Sequence, residues 1–239
     1  MDVELHVLED AGAAAEALAR ILVEAVRAGG AIALSGGSTP VAAYERAAAL
    51  EGDWGGATIW LADERCVPPS DERSNERLVR EAVLERVLVP PTVHAAYATG
   101  LAPEDAAARY DALLRAEGVP DLVVLGIGAD GHTASLFPSS PSLDVTDRLA
   151  VATAAGMDPP VDRITLTLPA IAAADHVVLL VTGAGKADVV RRALSEPPSA
   201  ATPASLARSR GGTTTVVLDR PAASRLELGA AGSDAGATT

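Results

Sequence analysis

Four short, largely apolar runs, each ending in a small polar turn, constrain this chain more than any other feature. They are Ala31–Leu34 before SGGSTP, Thr58–Ala62 before DERC, Asp121–Leu125 before GIGADGHT, and His176–Val181 before TGAGK. Continuous apolar runs of this length fit strands buried on both faces. Segments of helical period lie between them. Ala14, Leu18, Ile21, Leu22 and Ala25 mark one helix, ended by Gly29-Gly30; Val79, Val83, Leu84, Val87 and Leu88 mark another. Pro103–Glu117 and Lys186–Leu194 read as two more, and Val3–Leu8 and Thr214–Leu218 as strands near the two ends. The alternation predicts an α/β fold: an open, mostly parallel, Rossmann-like sheet with helices on both faces.

The 239 residues suffice for a sizeable core. No internal repeat or domain boundary interrupts them, so residues 1–228 are expected to form a single domain, with 229–239 a disordered tail. Ser195–Gly212, rich in Pro, Ser and Ala, is expected to be a surface excursion. Hydrophobic residues make up 49% but aromatics only 3%, so the core must come from Ala, Val, Leu and Ile. The net charge of −13 argues against a nucleic-acid partner and requires any anion site to carry its own local cations. The one cysteine, Cys66, cannot form an internal disulfide, which suits a reducing cytoplasm. MDVELHVLED lacks the basic, then apolar, pattern of a signal peptide, and no run reaches membrane-spanning length, so a membrane partner is not expected. The histidines are scattered without metal-ligand spacing, so no metal is expected.

Ligands of open parallel sheets bind beyond the carboxyl ends of the strands. Ser35–Thr39, Asp63–Arg65, Gly126–His132 and Thr182–Lys186 all fall at such ends. In LSGGSTP, Ser35, Gly36, Gly37, Ser38 and Thr39 precede a helix whose free N–H groups suit a phosphate, with Thr39 as N-cap and Pro40 as first helical residue. A plain Gly-Gly turn with a cap fits that stretch equally well. Gly126, Gly128 and Gly131 spell G-x-G-x-x-G, but Pro138 stops any long helix and Asp130 would set a carboxylate against a pyrophosphate, which disfavours a nicotinamide cofactor. The same turn offers His132 as a general base, with Asp130 to orient it; a surface histidine is the plainer alternative. Asp63 and Arg65 read either as a solvated turn or as groups for a sugar hydroxyl and an anion. Arg163 and Lys186 are two further cations near element ends. Ser35, Ser38 and Ser135 lie outside any G-x-S-x-G and are expected to bind or cap.

Taken in order, LSGGSTP (34–40), WLADERCVPPSDERSNERLVREAVL (60–84), DLVVLGIGADGHTASLFP (121–138), RITLTLP (163–169) and VTGAGKA (181–187) resemble the 6-phosphogluconolactonase family, relatives of the glucosamine-6-phosphate isomerase/deaminases. The resemblance spans nearly the whole chain to about Leu228. It implies a sheet of the deaminase/ribose-phosphate-isomerase/CoA-transferase type. It also implies hydrolysis of 6-phospho-D-glucono-1,5-lactone without metal or cofactor, in the oxidative pentose phosphate pathway. The deaminase pattern has Asp-Glu-Tyr where this chain has Asp63-Glu64-Arg65, and Ile-Ala-Phe-Asn-Glu-Pro after its Gly-His where this chain has Thr133–Pro138. Both departures favour the lactonase.

On this resemblance His132, Asp130, Arg65 and Asp63 are the expected catalytic residues. Ser35, Gly36, Gly37, Ser38, Thr39, Gly128, Arg163 and Lys186 are the expected substrate and phosphate contacts. The expected partner is a small phosphosugar lactone, and the chain is expected to be a monomer or weak homo-oligomer. The rivals are an amino-sugar phosphate deaminase and a non-catalytic sugar-phosphate sensor. The sensor is disfavoured because the first strand begins at residue 3, which leaves no segment for DNA binding.

Overall fold

The computed structural model describes residues 3–154 and 160–227. Its strands are β1 (Val3–Leu8), β2 (Ala31–Leu34), β3 (Thr58–Leu61), β4 (Asp63–Arg65), β5 (Thr92–Val93), β6 (Leu122–Leu125), β7 (Ala150–Thr153), β8 (Arg163–Leu166), β9 (His176–Val181) and β10 (Thr213–Asp219). The helices are α1 (Ala11–Arg27), α2 (Ser38–Leu50), α3 (Asn75–Val79), α4 (Pro103–Glu117), α5 (Leu168–Ala173), α6 (Ala187–Ser195) and α7 (Arg220–Ala223). Seven strands form one parallel sheet in the order β1-β10-β9-β6-β2-β3-β5. All four residues of β6 and all but the first of β9 are buried, which is why these strands read as unbroken apolar runs.

The expected open parallel α/β fold is what the structure shows. From β2 the chain builds outward through β3 to β5; β6, β9 and β10 later build the other way. The order therefore reverses between β2 and β6, and a crevice opens beyond their carboxyl ends. Only four aromatic side chains rank among the largest fully buried ones, Trp54, Trp60, Tyr44 and Tyr110. Two of them brace the crevice. Tyr44 of α2 donates its hydroxyl to the Ser35 carbonyl at 2.9 Å, and Tyr110 of α4 donates to the Leu61 carbonyl and accepts from the Leu61 N–H, both at 2.9 Å. Burial pushes both phenols well up, so they stay neutral donors.

Several local expectations change. α2 starts at Ser38, not Pro40, and Gly37 (φ 104°) is its N-cap, with no side-chain cap from Thr39. A left-handed glycine turns the chain into the helix early and leaves the first N–H groups open. Asp63–Arg65 is not a loop but a strand. β4 leaves the main sheet at Ala62 and joins an antiparallel sheet of order β4-β8-β7, with Asp63 opposite Thr165 and Arg65 opposite Arg163. The helix marked from Val79 to Leu88 is instead α3 followed by a π turn at Arg80–Leu84, and Leu88 is 90% exposed. The wider π turn shifts the residue spacing, so the regular apolar period misplaced its end. In the first helix Leu18 and Leu22 centre the buried stripe, while Ile21 and Ala25 flank it. Ser195–Gly212 is a surface excursion only at its ends: residues 195–201 and 210–212 are exposed, but Thr202, Pro203, Ala204, Ser205, Ala207 and Ser209 are buried, and the Ala204 N–H donates to the Gly131 carbonyl at 3.0 Å. The expected tail, 229–239, lies outside the described residues.

Candidate active site

The four polar turns meet around one cavity of about 440 Å³ at the β2–β6 reversal. Ser35, Gly36, Gly37, Ser38 and Thr39 form one wall. Asp63, Arg65 and Arg163 form another, and Gly128, His132 and Lys186 close it. Asp130 alone among the expected residues does not line the cavity; it stands behind His132.

The turn after β6 is shaped around the imidazole. The Gly128 N–H donates to the His132 carbonyl at 2.8 Å, and the Gly131 N–H donates to the Gly128 carbonyl at 3.0 Å. Gly131 takes φ 104°, with Thr202 pressed against it, and a Cβ on Gly128 would fall 2.1 Å from the His132 ring. From His132 to Ser140 the chain makes turns and no helix, so the glycines are not opening a dinucleotide fingerprint. His132 Nδ1 lies 2.6 Å from Asp130 Oδ1, and that oxygen also accepts the His132 backbone N–H at 3.1 Å. Burial works to raise the Asp130 pKa. The His132 N–H bond and the imidazole charge outweigh it, so the carboxyl sits below its usual range and stays ionised. An ionised Asp130 calls for the proton on Nδ1, which leaves Nε2 free to accept a hydrogen bond. The ring packs against Phe137 at 5.1 Å between centroids.

The cations are concentrated where the acidic chain needs them. Lys186 Nζ donates to the Ile127 carbonyl at 2.8 Å; burial lowers its pKa and the Asp130 charge opposes this. Arg163 is buried, lies 5.6 Å over the Phe137 ring, and holds Nη1 3.9 Å from Asp63 Oδ2. Burial, then repulsion from Arg65, lowers the Arg163 pKa, while Asp63 and Glu64 push it back up. Arg65 donates to the Arg73 carbonyl at 2.5 Å, and neither Arg65 Nε nor Arg163 Nε has a partner among the described residues. Such donors suit an anion.

Asp63 already accepts from Ser135 Oγ at 2.6 Å and from Asn75 Nδ2 at 3.0 Å, so it faces the cavity as a fixed carboxylate. Ser35 lines the cavity but donates its hydroxyl to the Val124 carbonyl at 2.7 Å, tying β2 to β6; what remains for a ligand is its oxygen lone pairs and backbone. Two potential nucleophiles are held back. Ser135 is fully buried, and burial pushes the Cys66 thiol up to about 12. Among the described residues no three His, Cys, Asp or Glu side chains converge as a metal site, and no helix is long and apolar enough to cross a membrane. Asn75 and Ala134 also line the cavity and were not singled out from the sequence. Their only signal was position within the motifs that carry Arg65 and His132.

A parallel sheet whose crevice gathers Arg65, Arg163 and Lys186 at its reversal, with His132 on the rim and Asp130 behind it, defines an α/β protein with the charge to hold a small anionic ligand. The family described as glucosamine-6-phosphate isomerases/6-phosphogluconolactonase matches residues 9–216, and the chain belongs to it. A 6-phosphogluconolactonase of Mycobacterium leprae is 37% identical over 232 residues, covering 90% of this chain and 93% of the relative. A solved 6-phosphogluconolactonase of Trypanosoma brucei superposes with a TM-score of 0.79 at 30% identity, covering 94% of this chain and 99% of that one. A monomeric glucosamine-6-phosphate deaminase superposes with a TM-score of 0.80 at 20% identity, which speaks for the shared fold alone.

Proposed function

We propose that this chain hydrolyses 6-phospho-D-glucono-1,5-lactone to 6-phospho-D-gluconate, a step of the pentose phosphate pathway, and that one domain over residues 1–228 carries the whole site. The curated relatives with this activity support the reaction. The observation that carries the assignment of residues is the 2.6 Å His132–Asp130 pair on the rim of the cavity that also holds the Gly36-Gly37 loop and Lys186. The 6-phosphate docks on Gly36, Gly37 and the open N–H groups of α2, with Arg163 and Lys186. That anchor presents the lactone carbonyl to one place. His132 Nε2 takes a proton from water as the oxygen attacks C1. Asp130 stabilises the imidazolium, and Arg65 with nearby backbone N–H groups stabilises the tetrahedral oxyanion. The C1–ring oxygen bond breaks, and His132 returns its proton to the departing oxygen. The proposed setting is the cytoplasm.

The deciding assay uses freshly generated lactone in a rapid acid-release measurement, beside glucosamine 6-phosphate with ammonia detection. Acid release above the spontaneous rate and no ammonia is expected. Ammonia release would establish the deaminase, and phosphogluconate binding without turnover would establish a sensor. Lys186→Ala should act mainly on binding. A hydrogen bond to a charged group contributes about 1.5–3 kcal/mol, so KM should rise roughly 10- to 100-fold with kcat little changed. An unchanged KM would remove Lys186 from the anchor.

A further inference from the structure

Asn75 takes no part in that mechanism, yet it stands between its two halves. It is 1% exposed. Its amide nitrogen donates to the Asp63 carbonyl at 2.8 Å and to Asp63 Oδ1 at 3.0 Å, and its backbone N–H donates to Glu64 Oε1 at 2.7 Å. These contacts decide which way the amide points, because turned over it would set its own oxygen against two acceptors. Oδ1 is therefore held on the opposite side, buried, with no donor among the described residues. There it meets the phosphate loop. A Cβ on Gly36 would fall 1.9 Å from Oδ1 and 2.4 Å from Cγ. Gly36 does not have a positive φ, so glycine is required at 36 by the presence of Asn75. Gly37 is required for the opposite reason: its φ is 104° and nothing lies within 4 Å of a Cβ there.

Buried acceptors without donors are rare, because each forfeits its bonds to water. Here the unpaired carbonyl fills the gap between the loop before α2 and the strand that carries Asp63 and Arg65. We infer that Asn75 is a positioning residue, a strut that fixes the distance between the phosphate loop and β4. The inference rests on the lactonase reading above. A remote anchor raises the rate only if anchor and reacting centre are held in register. Asn75 is placed to hold that register while touching Asp63 on one side and Gly36 on the other.

The test compares wild type with Asn75→Ala on 6-phosphogluconolactone and on unphosphorylated glucono-1,5-lactone. Loss of register should cut the phospholactone:lactone ratio of kcat/KM by about tenfold or more. An equal fall on both substrates, or no fall on either, overturns the inference. Gly36→Ala presses on the same strut from the other side and should show the same selective loss. Adding Asn75→Ala to it should cost little further, whereas losses that multiply would overturn the inference. Asn75→Ser, which keeps a hydroxyl for Asp63, should lose less and serves if the alanine variant does not fold. A wild type that hydrolyses neither lactone would sink the lactonase reading instead. Binding then decides: Asn75→Ala should weaken 6-phosphogluconate by about tenfold but inorganic phosphate by less than about twofold, and equal weakening overturns the strut.

Discussion

His132→Ala should lose about 10²- to 10⁴-fold in kcat while still binding 6-phosphogluconate close to wild-type affinity. The argument is one of separation. The imidazole enters from the turn after β6, whereas the groups assigned to the phosphate come from the loop after β2, from β8 and from the turn before α6. Removing the ring leaves those groups in place, together with Arg65, the side chain proposed for the developing oxyanion. The variant therefore keeps its orientation and electrostatic advantage and loses only the proton acceptor. The residual rate must be corrected for spontaneous hydrolysis of the lactone. Turnover near the wild-type value after that correction would remove His132 from the mechanism. A parallel loss of phosphogluconate binding would show that the ring holds substrate rather than water.

What the sequence made legible, and what it hid, divides along a physical line. Strands buried on both faces announce themselves locally: Leu122–Leu125 and His176–Val181 are apolar because both sides are covered, and no partner need be known. Their carboxyl-end turns could thus be placed on one rim, and the cavity does draw on all four. β4 could not be read this way. Asp63-Glu64-Arg65 has the composition of a turn, and it becomes a strand only by pairing with β8, roughly a hundred residues on. β7 and β8 are illegible for a different reason: Ala150–Thr153 and Arg163–Leu166 are only four residues each and belong to the small second sheet, although Ile164, Thr165 and Val151 are residues that strands favour. Ser195–Gly212 looked polar and small, but small residues are what fit beneath Gly131, where Thr202 Cα would lie 3.1 Å from an added Cβ. Asn75 was invisible because its significance lies in what it leaves unbonded, which no residue pattern encodes. The charge argument carried further. A chain of net charge −13 had to supply its own cations, and Arg65, Arg163 and Lys186 share one wall-to-wall space.

Gly128→Ala should disable the enzyme almost as fully as loss of the imidazole, with kcat down about 10²- to 10⁴-fold, although residue 128 carries no reactive group. Gly128 is not among the positive-φ glycines, so an alanine is compatible with its backbone. The conflict is one of space. The new methyl would lie 2.1 Å from both Cε1 and Nδ1 of His132 and 2.7 Å from Cγ. The turn itself cannot easily give way, since the Gly128 N–H and carbonyl are both bonded within it, at 2.8 and 3.0 Å. The ring must swing out, and the 2.6 Å bond to Asp130 breaks with it. Because both substitutions remove the same group, Gly128→Ala and His132→Ala together should be no worse than His132→Ala alone. Gly211→Ala is the matching control: a Cβ there meets nothing within 4 Å, and activity should hold. Losses that multiply in the double variant would mean that the glycine serves something other than the imidazole, such as a backbone contact to the substrate. Full activity in Gly128→Ala would mean that the catalytic ring does not occupy the place from which the whole mechanism is drawn.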